Sequence, residues 1–239
     1  MKNLVVVTGA SSGIGTEIAR SFSKKGHPVL LLSRRLNKME ELNLPNSLCK
    51  SVDVTDLEAM KLAIKEAEEK YGKVDCLVNC AGIMLLGDPT LQNYTEWSDM
   101  VDTNIKGVLT GTNIVLADMK ARNGGTIVNI SSIAGRKTFD NHAVYCGTKF
   151  AVHAISENIR KEVASSNVRV ITIAPGVVET PLLSHTSDEA IKAGYNEWKK
   201  TIEAGLDPKQ IANCVDFAYG QPQDVCIREI VIAKTKQED

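Results

Sequence analysis

Long apolar runs are missing from this 239-residue chain. Stretches such as PVLLL (28–32) are the longest of their kind, far short of the roughly 20 residues a membrane-spanning helix needs, so no membrane partner is expected. An excess of either charge is missing too. The 28 basic and 29 acidic residues leave a net charge of −1, with Lys and Arg scattered, so no nucleic-acid partner is expected. The six cysteines (Cys49, Cys76, Cys80, Cys146, Cys214, Cys226) include no CxxC pair and make no ligand cluster with the four histidines. That pattern excludes a disulfide framework and a zinc centre and leaves reduced, packing thiols; no metal is expected. Linkers, internal repeats and low-complexity segments are also lacking, which makes residues 1–239 one domain. The start, MKNLVVVTGA, superficially resembles a leader. Its apolar run is only LVVV and leads straight into a glycine motif, so a cytoplasmic location is expected.

What is present is alternation. A hydrophobic fraction of 43% and a charged fraction of 24% are those of a globular domain, and the chain is long enough for a sizeable core. Short β-branched runs at 3–8, 28–33, 47–54, 74–79, 126–131, 168–175 and 228–233 are predicted strands. Helical patterns lie near 14–25, 56–71, 94–121, 145–165 and 208–219. The strands are continuously apolar rather than alternating, which means burial on both faces. Strand–helix alternation of this kind predicts an α/β fold: a single doubly wound parallel sheet of about seven strands, Rossmann-like, with helices on both faces. Only 180–206 breaks the rhythm, and it is read as a lid or substrate loop.

In such a sheet, ligands bind at the carboxyl ends of the strands. TGASSGIG (8–15) follows the first strand and opens a helix. Its Gly9, Ser11, Ser12, Gly13, Ile14 and Gly15 form a candidate dinucleotide site: a tight turn, close backbone approach and close helix packing, with the helix amino end facing the phosphates. Thr16 stands where a P-loop would need Lys. After the second strand, Ser33, Arg34 and Arg35 replace the acid that would grip a free ribose 2′-hydroxyl. Guanidinium groups suit a 2′-phosphate, so NADP(H) is the expected cofactor. Asp53, with Val54 beside it, ends the third strand as an acceptor for adenine or as a helix cap, with Thr55 and Asp56 as rival caps. NCAG (79–82) and PGVVET (175–180) make small-residue turns at two further strand ends, adding Asn79, Ala81, Gly82, Pro175, Gly176, Val178 and Thr180.

Within SSIAGRKTFDNHAVYCGTKFAV (131–152), Tyr145 stands thirteen positions after Ser132, and Lys149 four after Tyr145. Residues four apart share a helix face. An ammonium beside a phenol stabilises the phenolate, so Tyr145 is expected to titrate below a free tyrosine and to act as proton donor and acceptor.

TGASSGIG, Asp53, NCAG, Asn104, Ser132, YCGTK (145–149) and PGVVET occur in an order and spacing that resemble the short-chain dehydrogenase/reductase family from residue 2 to 233. The resemblance implies a catalytic set of Ser132, Tyr145 and Lys149 extended by Asn104. It also implies that Tyr145 and Lys149 contact the cofactor, and that Arg34 is the basic residue of NADP-preferring members. Cys80 replaces the second asparagine of the usual NNAG. NHAVYCGTKFAVHAISENIR (141–160) and CIREIVIAKTKQ (226–237) resemble the branch acting on 3-hydroxy acids such as serine and 3-hydroxypropionate, or on small aldehydes and ketones. The expected partner is a small carbonyl or alcohol substrate, and the expected assembly a homo-oligomer, tetramer or dimer. Arg136, Lys137, His142 and His185 are candidates for a substrate carboxylate. Alternatives are a non-catalytic NADP(H)-sensing regulator and a reductase of another carbonyl, such as a 3-oxoacyl thioester or a steroid.

Overall fold

The computed structural model describes residues 2–238; the two end residues of the expected 1–239 domain lie outside the described residues. Among the described residues, seven strands form one parallel sheet in the order β3-β2-β1-β4-β5-β6-β7. They are β1 (Leu4–Thr8), β2 (Val29–Ser33), β3 (Ser47–Ser51), β4 (Val74–Asn79), β5 (Gly125–Ile130), β6 (Val168–Pro175) and β7 (Glu229–Ile232). Every residue of β1, β2, β5 and β6 is buried. Successive side chains then enter two different cores. Val5, Val7, Leu31 and Val78 pack with Ile18 and Phe22 of α1 (Gly13–Lys24) and Ile211 and Val215 of α8 (Pro208–Tyr219). Leu4, Val6, Leu30 and Leu77 pack on the opposite face with Met60 and Ile64 of α3 (Leu57–Tyr71) and Val115 and Met119 of α5 (Gly107–Ala121). Each such fully buried side chain contributes roughly 1.5–3 kcal/mol by leaving water.

The strand order reverses between β1 and β4, and this is where a crevice opens at the carboxyl ends. Thr8 sits at the reversal. Its hydroxyl accepts from the amides of Cys80 (3.0 Å) and Ala81 (3.1 Å), pinning the turn after β4 against the turn after β1.

The expected helix over 94–121 is divided in three: α4 (Tyr94–Val101), a π-helical segment Asp102–Lys106 and α5. The cause is Asn104, only 1% exposed, whose side chain is committed to groups outside its own helix. A short helix the periodicity does not predict, α2 (Leu36–Glu40), follows β2. The expected helix at 145–165 is α6 (Ala143–Val163). Segment 180–206 holds a 3₁₀ turn, Pro181–His185, and α7 (Glu189–Thr201), with Val178 bridged in parallel to Leu206. Among the described residues no helix is long and apolar enough to cross a membrane, and no group of His, Cys, Asp and Glu stands together as metal ligands.

Candidate active site

Two cavities meet at the carboxyl edge of the sheet. A cleft of about 260 Å³ runs over the turns after β1, β2, β3 and β4. A chamber of about 710 Å³ lies under the 180–206 segment. Ile14, Ser131, Tyr145, Thr180 and Leu182 line both, so Tyr145 stands at their junction.

The cleft is shaped for an anion. Gly9 and Gly13 take positive φ (67° and 53°), where a side chain would be strained. A Cβ on Gly9 would lie 2.8 Å from the Ala81 Cα, and one on Gly15 would collide with the Gly9 carbonyl oxygen, so the chain turns as tightly as it can. Gly13 abuts the Thr180 side chain, which joins the glycine turn to the turn after β6. Ser12 makes no side-chain cap and no acid occupies the first turn of α1, so this helix end keeps its amide donors and positive dipole for a ligand. Arg35 lays its guanidinium across the Ser11 and Ser12 hydroxyls (2.8 Å each), and Arg34 lines the same cleft. Asp53 is engaged by the Thr55 amide (2.9 Å) and hydroxyl (2.7 Å); these bonds, with Arg34 nearby, hold its carboxyl below the usual range. The α3 cap is Asp56, not Asp53. Val54, Ala81 and Gly82 also border the cleft. This donor set fits a dinucleotide bearing phosphates.

Five expected site residues lie outside the cleft lining. Asn79 does not border the cleft: it is buried, donating to Asn129 (2.9 Å) and Thr112 (3.3 Å), and so ties β4 to β5 and α5. Pro175, Gly176 and Val178 line the chamber rather than the cleft. Asn104 borders neither cavity. Its Oδ1 accepts from the Ile83 amide (2.8 Å), and its Nδ2 donates to the Ile83 carbonyl (2.9 Å) and Thr148 Oγ1 (3.1 Å). It braces the loop after β4 against α6, with both Nδ2 protons engaged. Thr103 and Ile83 border the cleft without a sequence signal, and Cys80 and His185 border it as well. His185 is placed with Arg34 and Arg35, which depress its pKa after burial, and not with the substrate chamber.

At the junction, Ser132 caps the 3₁₀ turn Ile133–Gly135, accepting from the Ala134 amide (3.1 Å) and donating to the Pro175 carbonyl (3.3 Å). Ser132 is also the side chain that works against the effect of burial on the Tyr145 phenol. Lys149 Nζ donates to the Ile130 carbonyl (3.1 Å) and lies 5.7 Å from the centroid of the Tyr145 ring. The expectation of an acidic Tyr145 is overturned. Burial raises its pKa above that of a free tyrosine, and Ser132 recovers only part of the shift. Lys149 is itself pushed down to about 8 by burial, so proximity to a cation does not outweigh the loss of water.

The chamber also disposes of most of the carboxylate candidates. Arg136 points into a separate hollow, its Nε 2.6 Å from Glu229 Oε1. Lys137 lies over the Phe139 ring and borders none of the three cavities. His142 does line the chamber, but burial lowers its pKa and favours the neutral ring. Lys199 is the lining lysine, and Glu179 pairs with it at 2.9 Å.

The sheet order, the glycine turn and the Ser–Tyr–Lys cluster define a nicotinamide-dependent oxidoreductase, and the chain belongs to the short-chain dehydrogenase family, whose sequence pattern matches residues 3–191. Among its relatives, an uncharacterized oxidoreductase of Staphylococcus saprophyticus is 37% identical over 98% of this chain and 96% of its own. Glycine betaine reductase of Emericella nidulans is 40% identical over 96% of this chain, a region making up 18% of that larger protein. The closed form of serine dehydrogenase complexed with NADP+ superposes with a TM-score of 0.90 and 31% identity, covering 99% of this chain and 96% of that one.

Proposed function

We propose that the protein is an NADP(H)-dependent carbonyl reductase and alcohol dehydrogenase, with Ser132, Tyr145 and Lys149 as its catalytic residues. The observation that carries this reading is the position of Tyr145: a phenol at the junction of a phosphate-shaped cleft and an apolar chamber, with Ser132 beside it in the chamber lining. The bound nicotinamide supplies the hydride in reduction and accepts it in oxidation. Ser132 donates to the substrate carbonyl oxygen and stabilises the charge developing there. Tyr145 gives that oxygen its proton, or removes one from an alcohol. Its raised pKa keeps the phenol protonated at neutral pH, which favours reduction. Lys149 anchors the ribose side of the cleft, and Asn104 acts as a positioning residue through Ile83 and Thr148.

Two arginines and no acid at positions 33–35 support NADP(H) over NAD(H). The 180–206 segment, which roofs the chamber, serves as the lid. Likeness to serine dehydrogenase supports a 3-hydroxy acid, and likeness to glycine betaine reductase supports a quaternary ammonium compound. Exposed Leu109 on α5 and Phe150 on α6, each 42% exposed, support a homo-oligomer built on those helices.

Tyr145→Phe is expected to lower kcat for NADPH-dependent carbonyl reduction at least a thousandfold while NADPH affinity, followed by its fluorescence, stays within about threefold. Near-wild-type turnover in that variant would remove the catalytic assignment. Wild-type protein that binds NADPH but reduces no aldehyde or ketone would favour the sensor reading instead.

A further inference from the structure

The chamber beyond Tyr145 carries an aromatic wall that proton transfer does not use. His142, on the loop before α6, stands with its ring centroid 6.1 Å from Tyr145 and 6.3 Å from Tyr195. Tyr195 in turn lies 5.4 Å from Trp198, three residues on and on the same face of α7. Ring faces carry partial negative charge, and a stack of edges and faces at this spacing gives a cation several to choose from. The formal charges agree. Asp140 is the acidic residue bordering the chamber, while the Lys199 ammonium is paired with Glu179. Burial keeps Tyr195 a neutral phenol, its pKa pushed up to about 12, and favours neutral His142. A substrate carboxylate would therefore meet ring faces and Asp140 with no available cation, whereas a permanent cation that cannot donate hydrogen bonds would lose little water and gain the rings.

We propose that the chamber binds the quaternary ammonium group of a short aldehyde, with Tyr195 and Trp198 as the cage and Ser132 and Tyr145 at the carbonyl. The proposal rests on the carbonyl reductase reading above. The reaction adds a hydride, and two electrons with it, to the aldehyde carbon; Tyr145 adds a proton to the oxygen; the alcohol leaves and the nicotinamide is oxidised.

The test compares trimethylammonioacetaldehyde with 3,3-dimethylbutanal, its uncharged isostere, and with 3-oxopropanoate, all with NADPH. The cation is expected to have the highest kcat/KM, about tenfold above the isostere, carried by KM. In Trp198→Leu and in Tyr195→Leu that ratio is expected to fall to about two, with Trp198→Phe keeping most of it. Tetramethylammonium should bind the wild-type protein in calorimetry and inhibit the cation competitively. Equal kcat/KM for cation and isostere, or a preference for 3-oxopropanoate, would overturn the proposal while leaving the reductase intact. Failure to reduce any of the three or any other carbonyl would instead overturn the reductase reading. Should a leucine variant not fold, the wild-type ratio still decides.

Discussion

Burial holds the Tyr145 proton more tightly than water does, and the same burial loosens the proton of Lys149. These two opposite shifts set a pH dependence. The rate of carbonyl reduction is expected to be flat from about pH 6 to about 7.5, because Tyr145 stays protonated. It should then decline above about 8, where Lys149 gives up its ammonium. Lys149→Arg, whose cation persists, should lose that decline in whatever activity it retains; an unchanged profile would assign the titration to another group. Arg35 permits a second expectation at this scale. Its guanidinium already spans the Ser11 and Ser12 hydroxyls at the mouth of the glycine turn. Arg35→Ala should weaken NADPH binding about tenfold or more and leave NADH binding nearly unchanged, as measured by titration of nucleotide fluorescence.

The elements that build the site are held by polar ties rather than by their own propensity. Asn104 is the clearest case. Residues 94–121 have the composition of one helix, but the amide side chain bonds Ile83 and Thr148 across the fold, and the chain takes a π-helical turn there. Such a turn is costly in isolation and marks a place where tertiary bonds override local preference. Asn104→Ala would strand the Ile83 amide and carbonyl in a half-buried loop, a loss on the order of 2 kcal/mol. Urea denaturation should show it as a lower midpoint with the slope unchanged. Wild-type stability in that variant would mean water satisfies those groups. The glycine motif, six of the seven strands to within a residue at each end and the Ser–Tyr–Lys spacing were legible from sequence because each rests on short-range chemistry; β3, expected over 47–54, stops at Ser51. The brace made by Asn104 was not, since its partners lie 21 and 44 residues away.

Across the whole molecule, three histidines share one electrostatic situation. His142, His153 and His185 each have burial as the chief cause of a lowered pKa. The folded state therefore prefers them neutral, while the unfolded chain takes up protons near pH 6.5. Below that pH the unfolded state binds more protons, so stability falls as pH falls; above it these groups contribute no slope. Glu229 and Asp53, held below their usual range, add a further loss at lower pH. The urea midpoint should accordingly be constant from about pH 7 to 8 and drop by pH 5.5, with a smaller drop when all three histidines are replaced by Asn. A midpoint that rises on acidification would contradict the linkage.

The sequence by itself determined the parallel sheet, because continuous β-branched runs between amphipathic helices bury both faces in only one way. It also determined the family, and it singled out Ser132, Tyr145 and Lys149, which sit close together along the chain, as the residues proposed for catalysis. Only the tertiary structure decided which charges face the substrate. It turned Arg136 away to Glu229, set His185 beside Arg34 and Arg35, and brought Tyr195 and Trp198 of α7 into the chamber that Tyr145 lines. It also reversed the expected acidity of Tyr145. The reason is common to all four: the field at a buried group depends on what packs around it and on how much water is excluded, and neither quantity is encoded in local spacing.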